Sequence, residues 1–244
     1  MLRTLSRLYP EPRTALRWTT PFELLVATML SAQSTDAGVN RVTERLFAGP
    51  HEPEDLCRMG AERLAEEIRA LGLFRSKARH IVETACILAR EYGGRVPRTL
   101  EELTRLPGVG RKTANVVLAN AFGLPAIAVD THVFRVSHRL HLADGRTPEA
   151  TERQLQARVP RRLWSKAHHW LILHGRRVCT ARRPRCGECP LLPWCPSGLA
   201  GQAGGDGTGG RRPQAVGTAG EAAGFLATSP EPEASGTRTT KRAP

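Results

Sequence analysis

The residues best suited to chemistry are one lysine, one aspartate and four clustered cysteines. Lys112 follows a glycine-bracketed turn, Leu106-Pro107-Gly108-Val109-Gly110-Arg111, and opens a run whose apolar residues Ala114, Val117, Leu118 and Ala121 recur at helical spacing. An ammonium in the first turn of a helix meets the positive end of the macrodipole, which favours the neutral amine. A neutral lysine amine attacks carbonyl-like carbons to give Schiff bases and needs a partner that handles protons and steadies cations. Asp130, in Val129-Asp130-Thr131-His132, is the candidate partner. It also precedes an apolar-periodic run (Val133, Val136, Leu140), where aspartate is a preferred helix N-cap, so both roles stand open.

The six cysteines divide into two kinds. Cys57 and Cys86 stand alone within helical patterns and read as small buried hydrophobes. Cys179, Cys186, Cys189 and Cys195 form C-x6-C-x2-C-x5-C, which in an intracellular chain means metal more often than disulfide. Four thiolates suit zinc or an iron–sulfur cluster. Zinc ribbons usually present two C-x2-C knuckles and this segment has one, a slight lean away from zinc. Arg176, Arg177, Arg182, Arg183 and Arg185 surround the cluster, as a solvated surface, a phosphate-binding loop, or both. His168 and His169 are adjacent, so they point different ways on a helix and do not share a metal; with His174 they read as packing or surface.

These groups require helices to hold them. Pro107 cannot continue a preceding helix, while Gly108 and Gly110 permit a tight hairpin, after which the Lys112 helix begins with free amides. A helix–hairpin–helix of this kind holds DNA phosphate through backbone N–H groups and reads no base sequence. Upstream, the continuously apolar Phe22–Leu30 predicts a buried helix, with Thr35 or Asp36 capping the next one. Ala61 to Leu71 predicts a helix ending at a Gly72 cap, Lys77 to Tyr92 an amphipathic one, and Thr99-x-x-Glu102 a capping box ahead of the hairpin. Thr147-Pro148-Glu149 starts another helix, and Leu163 to Leu173 forms one more. No convincing alternating run appears, so the fold class is all-α.

Lysine and arginine number 36 against 23 acidic residues, for a net charge of +13. Such a chain wants a polyanion, and nucleic acid is the usual one. No stretch approaches a membrane span of roughly 20 apolar residues, and the basic start lacks the apolar core of a secretion signal. From Gly198 the composition turns to Gly, Pro, Ser and Thr, with 11 of the chain's 23 glycines, so residues 198–244 read as a disordered low-complexity tail. That tail holds five basic and four acidic residues, so the surplus of positive charge belongs to the rest of the chain.

LPGVGRKTANVV, then VDTHVFRV, then the four-cysteine pattern closely resemble the endonuclease III family of helix–hairpin–helix DNA glycosylases, over about Leu16 to Cys195. The resemblance implies that Lys112 is the nucleophile and Asp130 the catalytic carboxylate, and that the four cysteines hold a structural [4Fe–4S] cluster. It implies DNA contacts from Gln33 in LSAQSTD, from Leu73 in LGLFRSKA as the wedge opposite an extruded base, from Gly108, Val109, Gly110 and Arg111, and from His132 at the site. Taken singly, Gln33 reads as a loop polar residue and Leu73 as core. The implied architecture is a six-helix subdomain, 14–124, and a cluster subdomain, 1–13 with 125–197. The implied activity is bifunctional: release of oxidised pyrimidines from double-stranded DNA, then abasic-site lysis, by a cytoplasmic, nucleoid-associated monomer. Two rivals are an adenine-mismatch glycosylase, which typically lacks the lysine, and a non-catalytic iron–sulfur DNA-binding protein.

Overall fold

A computed structural model describes residues 1–49 and 52–203. It consists of twelve α-helices with no strand among the described residues: α1 Leu2–Leu8, α2 Pro21–Leu30, α3 Asp36–Leu46, α4 Pro53–Met59, α5 Ala61–Glu67, α6 Phe74–Glu91, α7 Leu100–Arg105, α8 Arg111–Ala121, α9 Thr131–Arg139, α10 Pro148–Arg158, α11 Trp164–Arg177 and α12 Pro196–Ala203. Most begin where the sequence supplies a cap. The Thr20, Thr35, Thr99 and Thr147 side chains each accept the amide three residues on, and proline occupies the first turn of α2, α4 and α10.

Two apolar cores organise these helices. The first runs from Leu16 to Ala126 and is built around α2, whose residues Phe22 to Leu30 are all buried. The hairpin helix α8 packs on α2, and α6 packs on both α4 and α5. The second core combines Leu5 and Tyr9 with residues from Ile127 to Leu191, so α1 docks beside α11 far along the chain. Trp170 Nε1 donates to the Tyr9 carbonyl at 3.0 Å, which fixes that docking.

Several sequence expectations are corrected. α5 stops at Glu67, and Gly72 does not cap it; instead Leu73 adopts a left-handed backbone (φ 59°) and starts α6 three residues earlier than the apolar pattern suggested. α1 and α4 are single-core-residue helices too short for periodicity to reveal, and α11 continues to Arg177. Cys57 and Cys86 are not independent packing residues: α4 lies against α6 and brings their Cα atoms to 4.8 Å, where they form a disulfide. Residues 198–203, expected to belong to the tail, are instead part of α12, which runs to Ala203 and has its Gly198 amide on Cys195 Sγ at 3.3 Å. The remaining tail, 204–244, lies outside the described residues.

Candidate active site

The hairpin forms because glycine is the only residue that fits it. Gly108 has φ +73°, and a Cβ there would stand 2.8 Å from His80 Cβ on α6. Thr84 of the same helix donates its hydroxyl to the Pro107 carbonyl at 2.9 Å, and Val109 turns its side chain inward, 3% exposed. With no side chain capping α8 at Gly110, the first amides of that helix are free for an anion. Arg111, by contrast, commits its guanidinium to a bidentate pair with buried Glu152 on α10, at 2.8 and 2.9 Å. Its Nε and Nη2 are thus committed, so its backbone amide at the start of α8 is the donor best placed for phosphate.

Lys112 projects from the first turn of α8 into a recess of about 110 Å³ that Asp130 also lines, together with His168, His169, Asp36 and Arg176. Asp130 serves as cap and site residue at once. Its Oδ1 accepts the Val133 amide at 2.8 Å, while among the described residues Oδ2 makes no hydrogen bond and Lys112 makes neither hydrogen bond nor ion pair. The cap expected from the sequence is present, and it occupies only one of the two carboxylate oxygens. Across the recess, Arg176 of α11 pairs with Asp36 at the start of α3 at 2.8 Å.

The wall facing Lys112 is kept uncharged. Burial pushes His168 down to about 4, and its Nδ1 donates to the Ala128 carbonyl at 2.7 Å, so the proton sits on Nδ1. His169, pushed down to about 3 by burial and by His168, bonds Asn120 Oδ1 at 3.0 Å. Both line the recess, which corrects their reading as packing or surface residues alone. His132 is lowered by burial against the opposing pull of Asp130, and its Nδ1 accepts from Arg135 at 3.1 Å. Gln33 and Leu73 do not line the recess; both are exposed, on neighbouring turns, since a Cβ on Gly72 would lie 3.7 Å from the Gln33 carbonyl.

The cysteine loop is tied to the helix that Asp130 caps. One turn apart on α9, Arg135 binds the carbonyls of Gly175 and Cys179, and Arg139 binds those of Thr180 and Ala181 and reaches Cys179 Sγ at 3.4 Å. Sequence reasoning overlooked this pair, although two arginines four apart on the helix that Asp130 caps were the available signal. All four thiols are free and line a cavity of about 250 Å³ with Leu140, Val178 and Leu192. Burial pushes the Cys189 thiol up, and Cys179, Cys195 and Cys186 add to the effect, as expected where several thiolates converge and a cationic group must neutralise them. Four free thiols around one cavity suit either zinc or an iron–sulfur cluster.

Known proteins agree with this arrangement. A family model described as the HhH-GPD superfamily base excision DNA repair protein matches residues 26–161, and one described as the iron-sulfur binding domain of endonuclease III matches residues 179–195. The chain is 49% identical to endonuclease III of Rickettsia conorii, over 78% of its own length and 90% of that protein. It is 48% identical to endonuclease III of Escherichia coli K12, over 76% of its length and 88% of that protein. Its structure superposes on that of a trapped endonuclease III–DNA covalent intermediate with a TM-score of 0.78 and 46% identity, covering 82% of this chain and 95% of the other. The chain's cofactor is therefore a [4Fe–4S] cluster, and the matched segment runs from Cys179 to Cys195 and contains all four free cysteines. A hairpin that offers backbone amides, a lysine and an aspartate sharing one recess, and a four-cysteine loop strapped to the aspartate's helix are what a member of the HhH-GPD superfamily of base excision DNA repair proteins, in its endonuclease III branch, requires, and the chain belongs to that family.

Proposed function

We propose that this chain is a bifunctional DNA glycosylase and abasic-site lyase acting on oxidised pyrimidines in duplex DNA. The observation that carries the reading is the recess in which an unpaired Lys112 faces Asp130 with one carboxylate oxygen free. In the proposed reaction Lys112 Nζ bonds to C1′ as the damaged base departs with its bonding pair. Asp130 accepts the proton shed by the amine and returns it to O4′ as the C1′–O4′ bond breaks, leaving the cationic iminium that its carboxylate then steadies. Loss of the C2′ proton then expels the 3′ phosphate by β-elimination, cutting the strand 3′ to the lesion. The neutral histidine wall supports this chemistry, because a cationic neighbour would oppose the iminium.

Phosphate grip falls to the amides of Gly108, Gly110 and Arg111, with His132 beside the pocket; the Val109 amide, expected to join them, is already committed to the Leu106 carbonyl at 3.1 Å, so Val109 serves to close the turn. Gln33 and Leu73 enter the duplex to hold the space vacated by the flipped nucleotide, an apolar and a polar insertion side by side. The two cores correspond to two subdomains, 14–124 and 1–13 with 125–197, and the nucleotide enters between them. The [4Fe–4S] cluster, when bound, supplies no electron to the reaction; it shapes the arginine-rich loop against DNA. We infer a monomer working on chromosomal DNA in the bacterial cytoplasm; no helix among the described residues is long and apolar enough to cross a membrane.

Borohydride trapping on a thymine-glycol duplex and on an abasic duplex tests the reading. Wild type should be trapped covalently on both and Lys112→Gln on neither. Trapping on the abasic duplex alone would remove the oxidised-pyrimidine assignment, and trapping on neither would favour the non-catalytic DNA-binding alternative.

A further inference from the structure

Lys77 is a buried cation that the proposed chemistry does not use. Its side chain is 7% exposed overall, and among the described residues it has no carboxylate partner. Its Nζ donates to the Leu30 carbonyl at 2.8 Å and to Ser34 Oγ at 3.0 Å. Leu30 ends α2, so the ammonium sits at the negative end of that helix and closes over the turn Ser31 to Ser34, which carries Gln33. At the other end of the same residue, the Lys77 amide donates to the Leu73 carbonyl at 3.0 Å. One residue thus grips both turns that present an exposed side chain to DNA.

Those turns are strained. Among the described residues only Gln33 (φ 53°), Leu73 (φ 59°) and His141 adopt a left-handed backbone without being glycine. Such a conformation persists only where surrounding bonds over-determine it. Burial lowers the Lys77 pKa, a cost that a solvated lysine would not incur.

We propose that Lys77 is a positioning residue for base extrusion: its two side-chain hydrogen bonds and its amide lock the Gln33 turn to the Leu73 turn, so that both side chains enter the helix as one preset unit. This rests on the reading of Gln33 and Leu73 as inserting residues. Lys77→Met keeps the length of the side chain and removes its donors. Ser34→Ala removes one acceptor and carries the test should Lys77→Met fail to fold.

The experiment compares single-turnover base release from a thymine-glycol duplex with borohydride trapping on a single-stranded abasic oligonucleotide, which has no stack to invade. A 2-aminopurine beside the lesion reports extrusion directly by its fluorescence. Loss of one charge-assisted hydrogen bond should slow duplex release and the fluorescence rise by at least about tenfold, with single-strand trapping changed less than about twofold. Equal losses on both substrates would make Lys77 merely structural and overturn the proposal. So would unchanged extrusion in both variants while Gln33→Ala and Leu73→Ala slow it. If Gln33→Ala and Leu73→Ala themselves leave extrusion unchanged, the insertion reading fails first and the proposal falls with it.

Discussion

Arg111→Met should destabilise the protein more than Arg111→Met combined with Glu152→Leu. Glu152 is buried, its side chain 4% exposed, and takes two hydrogen bonds from Arg111, whose own side chain is 41% exposed. Removing one member of a fully buried ion pair costs about 3–5 kcal/mol, most of it the stranded charge. Solvent reaches Arg111, and Gln156 Nε2 still donates to Glu152 at 3.0 Å, so the single substitution should cost nearer about 2–3 kcal/mol. For a domain of this size that lowers Tm by roughly 4–12 °C. Replacing both partners by apolar residues removes the stranded charge and should recover at least half of the loss. Differential scanning calorimetry on the four proteins of the cycle reads the coupling. A double variant as unstable as Arg111→Met would refute the electrostatic account and leave lost packing of the arginine stem as the cause.

Acid should weaken the fold through His168 and His169. Their folded values, about 4 and about 3, lie below the ordinary value of 6.5, so their contribution is fully present above pH 6.5 and is lost as pH falls toward 4. Urea titrations at pH 7 and pH 5 should differ by about 4 kcal/mol, at roughly 1.4 kcal/mol per pH unit per group over the interval from 6.5 to 5, and a flat profile would contradict their neutrality. Gly108→Ala combines a disfavoured φ, about 1–2 kcal/mol, with the clash on His80, and should lower both stability and duplex affinity; normal binding would show that the hairpin yields. Duplex affinity should fall steeply with salt, and exposed Arg182→Ala or Arg183→Ala should each reduce the log–log slope by about one, whereas unchanged slopes would place the arginines off the phosphate path.

The sequence was informative wherever function forces local geometry. The P-G-x-G turn, the Lys112 helix with its bounds, the Thr99 and Thr147 starts and the four-cysteine loop were all readable, since each depends on residues a few positions apart. Asp130 read both as cap and as carboxylate partner; the structure shows the cap and places the residue on the recess that Lys112 also lines. What stayed hidden depends on distant segments meeting. The Cys57–Cys86 link needs α4 on α6, the Arg111–Glu152 pair needs α8 beside α10, and the Arg176–Asp36 bridge spans 140 residues. No periodicity encodes such encounters.

The docking of α1 into the second core sets an order on synthesis. Leu5 and Tyr9 leave the ribosome well before their partner Trp170, which lies 161 residues after Tyr9. Elongation at about 5–20 residues per second leaves that amphipathic segment without its partner for roughly 8–30 s. In that interval the core from Leu16 to Ala126 can assemble with its own hairpin already closed. The Lys112 side of the recess is therefore packed before the Asp130 side has a core to stand on, and the nascent chain passes through a stage in which the hairpin is built while the recess has only one wall.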